Sequence, residues 1–258
     1  MLVYLRSALF LLLFWGSVVV FGSLIVGLAR VLTYRQMARL GRTWAHLVLW
    51  LLKRVCGLDY RVTGREHLPA GPAVVLCNHQ STWETIALRT VLPLEHTWVL
   101  KQELLRIPFF GWAMRRFEPI AIDRSAGRQA LRRLLSQGAA HLANGRWVVV
   151  FPEGTRVQPG SAPRFNIGGA LLAQKAGVPV VPIAHNAGLF WGRHQLRKYP
   201  GCIELRVGPP IPVAERSPQQ LNAAAEGWIR ETLAVLPQAR PAENAAPQVV
   251  GAARRTGR

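Results

Sequence analysis

From Ala8 to Ala29 the chain carries no charged residue and consists mostly of Leu, Val, Phe and Ile. That is about the ~20 apolar residues a helix needs to cross the hydrocarbon core of a bilayer, so everything after it must fold beside a membrane. A cleaved secretory signal would have a shorter apolar stretch of roughly 7–15 residues and a small-residue cleavage site. Here the run leads instead into Arg30, Arg35, Arg39 and Arg42. A second apolar segment, Trp44 to Val55, is too short to span and has His46, Lys53 and Arg54 at its edges, which suits a helix in or under one leaflet. Two arrangements stay open: a helical hairpin in the interface, or one spanning helix followed by an interfacial one. An ordinary core helix is the alternative for the second segment. The arginine cluster favours a cytoplasmic face for the rest of the chain, by the positive-inside tendency.

Charge narrows the partners. With 32 Lys and Arg against 13 Asp and Glu, the formal charge is +19, a field that attracts lipid headgroups, phosphorylated substrates or nucleic acid. The basic residues are spread through the chain without a nucleic-acid-binding motif, so nucleic acid is not an expected partner. A membrane-tethered nucleic-acid-binding protein is kept only as a remote alternative. Apolar residues make up 50% of the 258-residue chain and charged ones 17%, which excludes a disordered protein. Cys56, Cys77 and Cys202 are widely spaced in apolar runs. They suggest neither a disulfide framework nor a zinc site, and no Cys/His cluster has metal-ligand spacing. A reducing compartment and no bound metal are expected.

Beyond Asp59, short β-rich runs alternate with helical patterns. The runs are Tyr60–Val62, Ala73–Cys77, Trp98–Leu100, Pro119–Ile122, Trp147–Phe151, Val178–Ile183 and Ile203–Val207, each bounded by Gly, Pro or polar residues. Helices are predicted over Gln129–Leu142, Gly168–Ala176 and Pro218–Leu236. Strands apolar throughout, such as Val148–Val150, imply a sheet covered on both faces and largely parallel. The expected fold is therefore α/β: a mostly parallel central sheet flanked by helices, with an N-terminal membrane-embedded helical segment. Three parts follow: membrane-embedded helices over 1–56, a globular domain over 57–236, and a disordered basic tail over 237–258. Arg254, Arg255 and Arg258 of the tail could add weak membrane adhesion.

The run from Ala73 to Cys77 reads as a buried strand that delivers Asn78 and His79 to the sheet edge, where function concentrates in open α/β folds. A neutral imidazole there can take a proton from a hydroxyl, provided a carboxylate fixes its tautomer and stabilises the imidazolium. Glu84, one helical turn beyond the loop, is placed to do so. The pair is the base-and-orienter half of a serine-protease triad, with the substrate's own hydroxyl in place of the serine. Ser81-Thr82-Trp83-Glu84 is equally a capping box, in which Glu84 would bind backbone N–H at a helix start. Local sequence does not choose between the two. After the Val148–Val150 strand, Phe151-Pro152-Glu153-Gly154-Thr155-Arg156 forms a tight turn offering a hydroxyl and a guanidinium fork suited to phosphate. The same strand-end logic recurs at Ile122-Asp123-Arg124.

Together, Asn78-His79 through Glu84, Phe117 to Arg124, Phe151 to Arg156 and Val180-Val181-Pro182-Ile183 resemble the four ordered motifs of the glycerolipid acyltransferase family, most closely its bacterial members. The match covers roughly Val62 to Pro212 and so makes 57–236 an acyltransferase domain. The resemblance implies transfer of a fatty acyl chain from acyl-coenzyme A or acyl carrier protein to the free 2-hydroxyl of 1-acyl-glycerol-3-phosphate, giving phosphatidic acid. It implies no cofactor beyond that acyl-donor co-substrate, membrane lipids and a lysophospholipid acceptor as partners, and a place on the cytoplasmic face of the bacterial inner membrane. Carried over by position, the catalytic histidine falls on His79 and its acidic partner on Glu84. Substrate binding falls on Glu153, Gly154, Thr155 and Arg156, with Arg124 and Lys101 as further candidates. Most members have Asp where this chain has Glu84, and relatives that acylate lipid A precursors also accept Glu. Another lysolipid, a lyso-ornithine lipid or a lipid A precursor is therefore the alternative acceptor.

Overall fold

The computed structural model describes residues 1–123 and 126–240. Arg124 and the tail from residue 241 onward, with Arg254, Arg255 and Arg258, lie outside the described residues. Seven strands follow the seven apolar runs: β1 (Leu58–Thr63), β2 (Val74–Cys77), β3 (His96–Lys101), β4 (Ile120–Ile122), β5 (Trp147–Val150), β6 (Val180–His185) and β7 (Gly201–Val207). They form one sheet in the order β1-β7-β6-β2-β5-β3-β4. Every neighbouring pair is parallel except β6 and β7. The mostly parallel α/β sheet expected from sequence is present.

The helices are α1 (Leu2–Gly27), α2 (Tyr34–Cys56), α3 (Trp83–Val91), α4 (Phe110–Arg115), α5 (Arg128–Ala143), α6 (Gly168–Ala176) and α7 (Pro218–Val235). Successive side chains of a strand point to opposite faces, and the central strands are apolar at every position because both faces are covered. Val74 and Leu76 of β2 join Val148, Val150, Leu134, Leu172 and Ile229 in the layer under α5, α6 and α7. Val75 and Cys77 join Val149, Ile183, Val48, Leu52 and Ile86 on the side of α2 and α3. Each such Val or Leu contributes about 1.5–3 kcal/mol on burial.

Two features depart from the sequence pattern. Helix α2 begins at Tyr34, well before the apolar segment, because Thr33 caps it in a reciprocal box with Gln36. Its arginine-rich first turns carry a buried stripe of small and apolar residues, Met37, Ala38, Gly41 and Ala45, that continues to Cys56. Helix α4 had no sequence signal. It is six residues long and starts after Phe109, which holds a positive φ of 58°.

Helix α1 buries Ser7, Phe10, Phe14, Val18, Gly22 and Ile25, a stripe at three- and four-residue spacing along nearly its whole length. The stripe packs on α2 and α4. Lys198 N–H donates to Ser7 Oγ at 2.8 Å, and Trp44 Nε1 donates to Ser17 Oγ at 3.1 Å. The Phe10 ring meets Trp191 edge-on at 5.5 Å. Leu5, Leu9, Leu12, Trp15 and Val20 on the outer face are exposed. α1 is thus an apolar helix long enough to cross a membrane whose inner face belongs to the domain's own core.

Candidate active site

The carboxyl ends of β2, β5 and β6 lie side by side in the sheet, which brings together chain segments far apart in sequence. Beyond β2, Asn78 continues the pairing with its side chain. Its Nδ2 donates to the His185 carbonyl and its Oδ1 accepts the His185 N–H, both at 2.9 Å. The next residue, His79, is fixed through its backbone by the loop after β5. Its N–H donates to the Glu153 carboxylate at 3.1 and 3.2 Å, and its carbonyl accepts Val157 N–H at 2.8 Å. The imidazole lies flat on Phe151, with ring centroids 4.1 Å apart. Only ring rotation remains to be set.

Glu84 sets it. His79 Nδ1 lies 2.8 Å from Glu84 Oε1, with the carboxylate fully buried and the imidazole side chain 12% exposed. The same oxygen accepts the backbone N–H groups of Gln80 at 2.9 Å and Ser81 at 2.8 Å. The capping contact and the imidazole contact that sequence set against each other are made at once. Ser81 Oγ accepts Trp83 N–H at 3.1 Å, so it belongs to the helix start. Burial opposes charge on Glu84. His185, facing its second oxygen, and the bonds from His79 and Ser81 outweigh that and hold the carboxyl below its ordinary range. An ionised Glu84 keeps the proton of His79 on Nδ1 and leaves a lone pair on Nε2, which makes no hydrogen bond among the described residues. That is the arrangement a general base requires.

The remaining candidates divide. Glu153 faces inward onto the His79 peptide, and burial pushes its carboxyl up to about 7. Gly154 turns the chain at a φ of 69°, a conformation that suits a residue without Cβ. Thr155 is exposed on an open cleft that Arg156 also lines. Arg156 Nη1 donates to Thr82 Oγ1 at 3.0 Å, which places a guanidinium beside the start of α3. Lys101 ends β3 in solvent, paired with Glu103 at 3.0 Å; no hydrogen bond or ion pair joins it to His79, Glu84 or Arg156.

A family model described as Acyltransferase matches residues 59–186, the stretch that contains all of these contacts. The 1-acyl-sn-glycerol-3-phosphate acyltransferase of Pseudomonas aeruginosa is 44% identical over 235 residues, covering 89% of this chain and 91% of that protein. The chain belongs to the glycerolipid acyltransferase family. The human 1-acyl-sn-glycerol-3-phosphate acyltransferase alpha is 34% identical over 182 residues, 70% of this acyltransferase and 64% of the human chain. The crystal structure of the 1-acyl-sn-glycerophosphate (LPA) acyltransferase of Thermotoga maritima shares the fold. Its TM-score is 0.76 at 21% identity, over 89% of this chain and 94% of that one.

One polar residue of this acyltransferase's site escaped the sequence reading. His185 ends β6 fully buried, with Nε2 2.8 Å from the Asn78 carbonyl and 3.8 Å from Glu84 Oε2. Burial draws its pKa below the ordinary value. Ala187 N–H donates to its Nδ1 at 3.2 Å, so the proton of the neutral ring is on Nε2 and points toward Asn78 and Glu84. Glu84 Oε2 makes no hydrogen bond among the described residues, and at 3.8 Å His185 acts on it through space. The only signal in the sequence was a histidine at the end of an apolar strand.

Proposed function

We propose that the protein transfers a fatty acyl group from an acyl thioester to the free 2-hydroxyl of a 1-acyl-glycerol-3-phosphate, giving phosphatidic acid. His79 Nε2 takes the hydroxyl proton as the oxygen attacks the thioester carbonyl. The carbon–sulfur bond then breaks, and the thiolate leaves and recovers the proton from the imidazolium. Glu84 stabilises that imidazolium, and the clamp from Glu153 and Val157 keeps the ring in register. A thiolate needs little acid assistance, since a thiol such as that of cysteine has a pKa of ~8.5. Arg156 holds the acceptor phosphate beside α3, with the Thr155 hydroxyl and the Gly154 turn as further contacts.

The acyl chain would run along Phe151 and Trp98, whose rings stack at 6.0 Å, toward the apolar cleft between α1, α2 and α4 lined by Val18, Ile25, Trp44, Met114 and Phe117. The docked stripe of α1 favours burial of its outer face in one leaflet, because spanning would strip Phe10, Phe14 and Val18 from the core. Residues 1–56 would then anchor the domain to the cytoplasmic face of the bacterial inner membrane.

The observation that carries this reading is the 2.8 Å contact between His79 Nδ1 and the buried Glu84 carboxyl, with Nε2 making no hydrogen bond among the described residues. Purified protein in mixed micelles, supplied with lysophosphatidic acid, other lysolipids and both donor types, should yield phosphatidic acid by mass spectrometry. His79→Ala should lower the rate by ~10²–10⁴, the usual span for loss of a general base. Turnover near that of the parent protein would remove His79 from the chemistry. Preferential acylation of another lysolipid would change the acceptor.

A further inference from the structure

Outward from Arg156 two open clefts adjoin. One, of about 630 Å³, is lined by Arg156, Arg193 and His194 among others; the second, of about 920 Å³, shares Gln158 and Arg193 with it and runs on past Tyr199 to Arg240. No Asp or Glu is among the described residues lining either. In a water-filled concavity such one-sided charge favours a polyanion. The clefts also touch the catalytic loop. Arg193 Nη1 donates to the Arg156 carbonyl at 3.0 Å, Gly188 N–H donates to Gln80 Oε1 at 3.3 Å, and Val157 holds the His79 carbonyl. At the far end the Arg240 guanidinium lies 3.5 Å from the centroid of the Tyr199 ring, with Arg197 at 5.6 Å. A guanidinium laid on an aromatic face is a flat cationic platform of the kind on which a purine stacks.

We infer that the paired clefts hold the phosphorylated adenosine end of an acyl-coenzyme A donor. The inference rests on the acyl-transfer reading and deepens it by naming the donor. Coenzyme A carries phosphates and a purine at one end of a long pantetheine arm and the thioester at the other. Its anionic end must therefore be held away from His79, in a space that adjoins the loop carrying it. Arg193 and His194 receive the phosphates near Arg156, and the purine lies against Arg240 on Tyr199. A concave site of this volume suits a small nucleotide, whereas an acidic carrier protein would need a broad convex or flat patch.

The test uses the full chain in detergent micelles and the exposed pair Arg193→Gln/Arg240→Gln, which leaves Arg156 and His79 in place. Calorimetric titration with free coenzyme A should show affinity weakened about tenfold or more, the loss expected for one or two charge-assisted phosphate contacts. With acyl-coenzyme A as donor, KM for the donor should rise by a similar factor while kcat and KM for the lysolipid stay as they were. Turnover with acyl-pantetheine, which lacks the nucleotide, should be unchanged. Equal affinity of parent and variant for coenzyme A overturns the proposal. So does a loss of acyl-pantetheine turnover, which would mean that Arg193 acts through Arg156. A rise in KM confined to acyl carrier protein would overturn it in favour of a protein-docking surface. If the parent protein binds coenzyme A through these arginines yet acylates no lysolipid, the acyl-transfer reading fails and the nucleotide site stands.

Discussion

Glu84 Oε1 accepts from the ring of His79 and from the N–H groups of Gln80 and Ser81, so one oxygen both starts a helix and orients an imidazole. Glu84→Gln keeps an acceptor for the two backbone donors but removes the charge that stabilises an imidazolium. Its melting temperature should stay within a few degrees of the parent while kcat falls by ~10² or more; equal turnover would leave Glu84 with the capping role alone. Glu153 offers a different handle, because burial raises its carboxyl from 4.5 to about 7. Below about 4.5 it is protonated in both states. Between there and 7 only the unfolded chain ionises, so its contribution to stability declines with rising pH, by roughly 3 kcal/mol in all, and is level above 7. Comparing chemical denaturation of the parent and Glu153→Gln at pH 5 and 7.5 isolates this slope, since Glu84 is common to both. That His79 and Glu84 would lie close was legible because a buried strand, a loop and a helix start follow one another there, whereas the local sequence left Glu84 between capping and orienting the ring. His185 was not: it bonds to Asn78, 107 positions earlier, and such a contact exists only once β6 lies beside β2.

At the scale of elements, the strands were readable for the reason that makes them central. β2, β5 and β6 are buried at every position, so selection for both layers left unbroken apolar runs. α4 was unreadable because six residues give no periodicity, and its start depends on Phe109 in a conformation few side chains adopt. The first turns of α2 were hidden by Arg35 and Arg39, which are exposed, and by Arg42, whose guanidinium instead donates to the Arg89 and Leu92 carbonyls. α1 was seen as apolar, but not that one side of it is spoken for. A Cβ at Gly22 would come within 3.0 Å of the Phe109 carbonyl oxygen. Gly22→Leu should therefore lift α1 from α4 and lower stability by about 1–3 kcal/mol, measurable as a drop in melting temperature. Sedimentation with vesicles should persist, since the outer face is untouched.

The whole molecule presents two attractions to a bilayer, the outer face of α1 and a net charge of +19. They separate by salt. Leu5→Glu/Leu12→Glu alters two exposed apolar positions and should weaken co-sedimentation with neutral vesicles more than tenfold, each lost insertion being worth about 1.5–3 kcal/mol. Binding to anionic vesicles should partly survive at low ionic strength and vanish near 1 M salt, where the Debye length is ~3 Å. The grip on the His79 peptide has a consequence for the order in which this molecule comes to life. It is supplied by Glu153 and Val157, the former 74 positions downstream, and β5 must first slot between β2 and β3. During synthesis the greasy leading helix emerges long before those residues do. On the proposed reading, a newborn chain would meet its lipid surface while still inert, and would gain the power to react only after being berthed there.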